Sequence, residues 1–340
     1  MITEKLRERF CKDYSIPINI FEEPLFSLRI SLMGYEEKYN NFIKMIATKF
    51  NNNEQVYFEY YNNLKDRVIQ YIKNSETYKA LENIDIKEIQ PNKRENNNLS
   101  QSNIYKENNI GKTFISIDMC KANFSALCIF GKTNNVPLFD NLNYKDFMRQ
   151  FTDIDYFAES KYIRQVIFEN CNPKRQVTYE NKIMYDLLNR LLDNKIIDKK
   201  NIYSICSDEI IIEVPQNITG PELQLLINNE LQYVPFGSVF KNELFILGKI
   251  KGTEAYIKSY KALSKQNKNY ELKCVNAVEA PFIYKFINDE EITQDDRITK
   301  LNARKCLLLD SLEISITYQN ENDKLTDKEP DIELADIELE

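Results

Sequence analysis

The sequence predicts a mixed α+β fold, in which an antiparallel sheet is interrupted by a long helical insertion and preceded by an α-rich domain. Three observations predict it. Between residues 113 and 250, strand-like and helix-like segments alternate in the order β-α-β-β-α-β. Residues 91–109, PNKRENNNLSQSNIYKENN, are polar and almost free of large aliphatic side chains, so they divide the chain. Beyond residue 316 the pattern changes to acidic-apolar units with little to form a core.

These boundaries give an α-rich N-terminal domain at 1–90, a linker or loop at 91–110, a sheet-bearing domain with a C-terminal extension at 111–315, and an acidic disordered tail at 316–340. In the first part, the apolar runs IPINIF and PLFSLRISLM precede helical patterning through 42–78, with apolar residues at spacings of three and four. Residues 113–118 (TFISID) read as an apolar, β-branched strand. Residues 144–151, 156–170 and 176–194 read as helices, followed by a second strand at 201–206 (NIYSIC). A tight turn at Ser207, Asp208 and Glu209 leads into a third strand at 210–214. A helix at 219–230, with Pro221 in its first turn, precedes a fourth strand at 243–250.

Composition narrows the chemistry. The 340 residues, 43% apolar, suffice for packed cores. No stretch has the roughly 18 apolar residues of a membrane helix, and the charged start MITEKLRERF lacks a signal peptide's apolar region, so a cytoplasmic protein without membrane contact is expected. Seven cysteines scattered singly read as reduced and mostly buried. The chain has no histidine, which excludes a Ser-His-Asp triad, and its seven glycines form neither a Walker A loop nor a dinucleotide fingerprint. The net charge of −7 lies in the tail: residues 321–340 hold nine acids against Lys324 and Lys328, and the remainder balances at 43 against 43. A nucleic-acid partner is therefore not excluded by charge.

The element order is that of the ferredoxin-like split βαβ, in which the end of the first strand neighbours the hairpin joining the second and third. Asp118 ends the first strand, and Asp208 with Glu209 occupies the hairpin, so carboxylates 90 residues apart are expected to meet. Three carboxylates at one place repel one another unless cations neutralise them, and clustered hard oxygens suit Mg²⁺ or Mn²⁺. Two such ions would activate an attacking hydroxyl and stabilise a leaving pyrophosphate without any histidine.

The segments FISIDMCKANFSAL and YSICSDEIIIEV resemble the first motif and the hairpin motif of palm-domain nucleotidyltransferases, a superfamily including Y-family DNA polymerases, reverse transcriptases, tRNA-His guanylyltransferases and diguanylate cyclases. The resemblance covers about residues 112–250. It implies that Asp118 and Asp208 are the shared metal ligands, that the Met119 carbonyl adds a ligand, and that Glu209 assists. It also implies a bulky residue testing the sugar 2′-hydroxyl near Asn123 and Phe124, with Phe124 as the steric-gate candidate. Cys206 and Ser207 stand where diguanylate cyclases would carry Gly-Gly, against that branch. In the long insertion, Lys161, Arg164 and Gln165 fall within one helical turn. With Lys174 or Arg175, and with Lys121 as an addition, they form the expected clamp for a triphosphate.

The resulting expectation is an enzyme using nucleoside triphosphates and two Mg²⁺ or Mn²⁺ ions to extend a DNA or RNA primer. The alternatives are a non-catalytic scaffold that binds nucleic acid or protein, or a nucleotide cyclase or oligonucleotide synthetase. The tail, with DIEL at 331–334 and 336–339, offers a docking strip for a protein partner.

Overall fold

The computed structural model describes residues 2–93, 104–136, 143–234, 236–260, 270–302, 304–309 and 312–319; the DIEL units of the tail and most of the polar stretch lie outside them. Five α-helices come first: α1 (Glu4–Tyr14), α2 (Leu25–Leu32), α3 (Glu36–Phe50), α4 (Glu54–Asn74) and α5 (Glu76–Asn83). The helical patterning over 42–78 is present but punctuated. Asn51 and Asn52 adopt positive φ and end α3, a backbone region that asparagine enters more readily than most residues. Asn53 Oδ1 then accepts from Gln55 N and Val56 N to start α4, and Ser75 Oγ accepts from Tyr78 N to start α5.

The sheet region follows as β1 (Thr113–Met119), α6 (Ala122–Thr133), α7 (Tyr144–Arg149), α8 (Asp155–Glu159), α9 (Lys161–Glu169), α10 (Pro173–Asp193), β2 (Ile202–Ile205), β3 (Glu209–Glu213), α11 (Gly220–Leu231) and β4 (Phe240–Lys251). The extension adds β5 (Tyr256–Tyr260), β6 (Tyr270–Lys273), α12 (Ala280–Ile287), the hairpin β7 (Ile298–Leu301) and β8 (Arg304–Leu307), and β9 (Ser315–Thr317). Strand order is β2-β3-β1-β4-β5-β6, with β9 also on β4, and neighbours run antiparallel. The fold is thus α+β around an antiparallel sheet, with β1 between β3 and β4. The sequence reading differs at three places. It missed α6, ran α8 and α9 together across Ser160, and stopped the sheet at 250.

Alternation along β1 sorts the site from the core. Ile115, Ile117 and Met119 join the large cluster that includes Leu127, Leu223 and Ile227 of the helices. Phe10, Phe42 and Tyr57 of the N-terminal helices belong to the same cluster, so both parts of the chain share one core. Phe114, Ser116 and Asp118 point to the opposite face, where Phe114 packs with Ile211, Phe245, Leu247 and Tyr256 in a smaller cluster.

The cysteines are all free, but only Cys11 and Cys171 are buried; Cys128, Cys206 and Cys306 are half-buried, and Cys120 and Cys274 are exposed. The expectation of mostly buried thiols is corrected accordingly.

A buried ion pair ties the extension to the N-terminal helices. Arg29 donates from Nη1 to Asp296 Oδ1 (2.9 Å) and from Nη2 to the carbonyls of Asp295 (2.7 Å), Asp296 (3.0 Å) and Ile298 (3.2 Å). Breaking such a pair from one side leaves an uncompensated buried charge. Arg29→Leu is therefore expected to lower the unfolding free energy by roughly 3–5 kcal/mol, seen as a lower urea midpoint at unchanged slope. Arg29→Lys should recover less than half of that loss, because a point charge cannot reach several carbonyls at once; full recovery would contradict the assignment.

Candidate active site

Asp118 and the acidic turn meet through the backbone. In the register of β1 and β3, Asp118 lies opposite Glu209, and Met119 N donates to the Asp208 carbonyl at 2.7 Å. Cys206 N donates to the Glu209 carbonyl at 2.8 Å, closing a two-residue turn over Ser207 and Asp208. On the other side of β1, Lys241 and Glu243 of β4 stand opposite Asp118 and Ser116, on the same face, and pair with each other. Directly opposed residues in an antiparallel pair share a face, so the site is a consequence of register.

The electrostatics follow from this crowding. Burial, then Asp208, Glu209 and Glu243, raise the Asp118 pKa to about 6 against the pull of Lys241. Asp208 sits exposed at the turn yet is also raised, by desolvation from the surrounding protein and by Glu209, with its own backbone amide and Lys161 opposing. Glu180, buried on α10, is pushed up to about 7 by burial and by Asp208. Glu209 turns another way: its Oε1 accepts from Ser116 Oγ at 2.5 Å and lies 3.6 Å from Lys258 Nζ, an ammonium that burial holds below its ordinary pKa.

Among the described residues, no set of three or more acidic or cysteine side chains converges closely enough to hold a metal ion. The register brings the backbones of Asp118, Asp208 and Glu209 together, but the three carboxylates do not converge, because the Glu209 side chain is held by Ser116 and Lys258. The donors that fit a hard divalent cation are the Asp118 and Asp208 carboxylates; Asp208 raises the pKa of Asp118, and Lys241 and Lys161 oppose the shifts of Asp118 and Asp208 respectively. The Met119 side chain is buried in the core on the opposite face.

The cationic candidates divide. Lys121, in left-handed conformation at the start of α6, and Arg164 of α9 approach the ring of Tyr144 to 5.8 and 5.5 Å. Burial, then Arg164, lowers the Lys121 pKa, and burial also lowers that of Arg164. Arg164 Nε is buried without a hydrogen-bond partner. Lys161 is exposed at the start of α9 and its charge is felt at Asp208. Gln165 and Lys174 are exposed, without a side-chain bond among the described contacts. Arg175 is used elsewhere: its guanidinium donates to the carbonyls of Leu81 (3.1 Å) and Ile84 (2.8 Å), at the end of α5. Asn123 accepts through its carbonyl from Gln176 Nε2 (2.5 Å), joining α6 to α10. Phe124 is 5% exposed and packs on Tyr144, Phe147 and Phe168, so it belongs to the core and is not presented to a sugar.

Sequence reasoning missed Ser116, Lys241, Glu243, Lys258, Tyr144 and Glu180. Ser116 was legible, being two residues before Asp118 and so on its face. Glu180 carried a signal too: it lies four residues from both Gln176 and Met184, in the phase of the buried stripe of α10. Lys258 needed β5, which was not foreseen.

Comparison with protein-family models, with curated proteins and with solved structures finds no match to this chain. Among the described residues, no helix is long and apolar enough to cross a membrane.

A carboxylate whose folded pKa is raised costs stability in its charged form. The wild-type protein should lose this part of its stability as pH rises from the ordinary value of 3.8 to about 6, and should not regain it above. Asp118→Asn removes the cost and is expected to stabilise the fold at pH 7.5 by on the order of 1 kcal/mol, after discounting for partial exposure. The gain should vanish below about pH 4, in denaturant titrations across pH. An Asn variant less stable than wild type at pH 7.5 would contradict the geometry.

Proposed function

We propose that the chain is a metal-dependent nucleotidyltransferase of palm type that extends the 3′ end of a nucleic acid with nucleotides. The observation that carries this reading is the meeting of Asp118 and Asp208 across β1 and the β2–β3 turn, beside cations without acidic partners. Among the described residues, Lys121, Lys161 and Arg164 form no ion pair. Such donors suit the triphosphate oxygens of a nucleotide, whose charge the metals alone do not neutralise.

In this reading Asp118 and Asp208 hold Mg²⁺ or Mn²⁺, with the Met119 carbonyl as a further donor. The ions, when bound, supply acidification of the attacking hydroxyl and charge neutralisation of the leaving pyrophosphate. Lys121 and Arg164 grip the triphosphate at the start of α6 and on α9, with Lys161 at the first position of α9. The 3′ oxygen forms its bond to the α-phosphorus while the bond to the pyrophosphate oxygen breaks. Lys241 limits the repulsion at Asp118, and Ser116 with Lys258 fixes Glu209 at the rim. Arg175 and Phe124 take no part, since both are engaged in packing the scaffold.

One observation favours a second reading, a scaffold of the same fold that binds without catalysis: the engagement of Glu209 by Ser116 and Lys258 leaves two carboxylates rather than three facing one another. Labelled nucleoside triphosphates offered with Mg²⁺ or Mn²⁺ to primed and unprimed DNA and RNA separate the readings. The polymerase-like reading expects extension that falls at least about 100-fold in Asp208→Asn. Short soluble products would move the proposal to a cyclase or oligonucleotide synthetase. No product, together with no Mn²⁺-dependent rise in melting temperature, would leave the scaffold. Arg164→Ala should raise KM for the triphosphate roughly 10-fold or more through loss of a charge-assisted contact, with kcat changed less.

A further inference from the structure

A cleft of about 860 Å³ lies between the N-terminal helices and the insertion, walled by the end of α1 and by α3 on one side and by α8 and the start of α9 on the other. Its inventory of charge is uneven once partners are assigned. Asp13 is buried, accepts from Tyr156 Oη (2.5 Å) and Ser160 Oγ (3.1 Å), and faces Arg9 Nε at 3.6 Å. Asp153 pairs with Lys49 at 2.8 Å, Asp155 with Arg149, and Glu159 with Lys145. Every acid of the cleft is thus neutralised. Lys38, Lys44 and Lys161, which also line it, form no ion pair among the described residues.

Beside Lys38 the wall is aromatic. The rings of Tyr14 and Tyr35 lie 6.0 Å apart, and Lys38 Nζ stands 4.9 and 5.2 Å from their centroids. Tyr156 and Phe42, 5.1 Å apart, form the floor. Unpaired lysines interleaved with half-exposed rings suit a ligand that alternates phosphates with flat bases, because each base has a face to stack and each phosphate a charge to neutralise. A peptide would use the carbonyls and apolar side chains of the groove but would not need three free cations. The cleft reaches Lys161, which begins α9, the helix whose Arg164 shares the ring of Tyr144 with Lys121, three residues after Asp118.

We infer that this cleft binds single-stranded nucleic acid and leads its end to the Asp118–Asp208 site. The second half of this statement rests on the proposed activity; binding in the cleft does not. The N-terminal helices, which contribute no side chain to the carboxylate site, thereby supply one wall of the polymer track.

The test uses the full chain carrying Asp208→Asn, so that binding is read without turnover. Fluorescein-labelled 15-mers of uridine and of thymidine are titrated by anisotropy from 50 to 200 mM salt. The expected result is binding whose logarithmic salt slope shrinks by roughly 0.7 for each phosphate contact removed when Lys38→Glu and Lys44→Glu are combined. Tyr35→Ala should weaken the oligomer roughly 10-fold, and Tyr35→Phe should restore it, since a ring rather than a hydroxyl does the stacking. Lys38 and Lys44 are exposed on α3, so their reversal leaves the core untouched, and circular dichroism verifies each variant. Oligomer binding that the lysine reversals and Tyr35→Ala leave unchanged overturns the inference, as does absence of oligomer binding. Displacement of the oligomer by uridine triphosphate with equal sensitivity to Tyr35→Ala also overturns it, in favour of a mononucleotide pocket. If the oligomer binds as expected while the wild-type chain incorporates no nucleotide, the cleft stands and the activity falls; incorporation with an indifferent cleft gives the reverse.

Discussion

The hydrogen bond from Met119 N to the Asp208 carbonyl fixes where everything else must be. It extends the β1–β3 ladder by one step past Glu209 and clamps the turn to the end of β1. A slip of one residue in that ladder would send Asp118 to the helical face and bring Ile117 out. The apolar phase of β1 forbids the slip, because Ile115, Ile117 and Met119 would leave the core together. The positions of the acidic residues are therefore set by burial of their neighbours, and the repulsion between Asp118 and Asp208 is borne by the energy of the packed sheet.

The same division of faces explains why the cations come from helices. The sheet's outer face near Asp118 offers Lys241 and Lys258, but each is held by an acid, Glu243 or Glu209. Charge without a partner arises where elements end: Lys121 at the start of α6, Lys161 at the start of α9, and Arg164 one turn later. Arg164 and Lys121 share the ring of Tyr144, an arrangement that spreads their charge over a π-face and spaces them apart without neutralising them.

Much of this was legible in the sequence, and what was not has a physical cause. β-branched runs and turn residues located β1, β2, β3 and β4 to within a few residues, and their order alone brought Asp118 to the Asp208 turn. Strand pairing is governed by alternation, which the chain displays openly at TFISIDM. The helix α6 escaped because ANFSALCIFGKT is buried almost all round and shows no amphipathic period. Residues 256–260 were missed because Lys258 occupies a buried position, which breaks the apolar signal of the strand. Arg175 and Phe124 show the limit of motif reading. Their types suit a phosphate and a sugar, but type does not say which way a side chain points, and the ends of α5 and the Tyr144 cluster claimed them first.

The N-terminal helices and the site are coupled through Ser160. Its Oγ accepts from Ile163 N to begin α9 and donates to Asp13, which is itself held by Arg9 between the rings of Tyr61 and Tyr162. Asp13 is buried and its pKa is raised by that burial, against the opposing pull of Arg9, Tyr156 and Ser160. The helix that presents Lys161 and Arg164 is therefore anchored to α1 at its N-cap, Ser160, with the first turn of α9 as the rigid link. Matched apolar side chains would pack this otherwise apolar interface at lower desolvation cost than the polar network does. What the network supplies is direction: it fixes α9 in rotation as well as position, and rotation sets where Arg164 meets the ring of Tyr144.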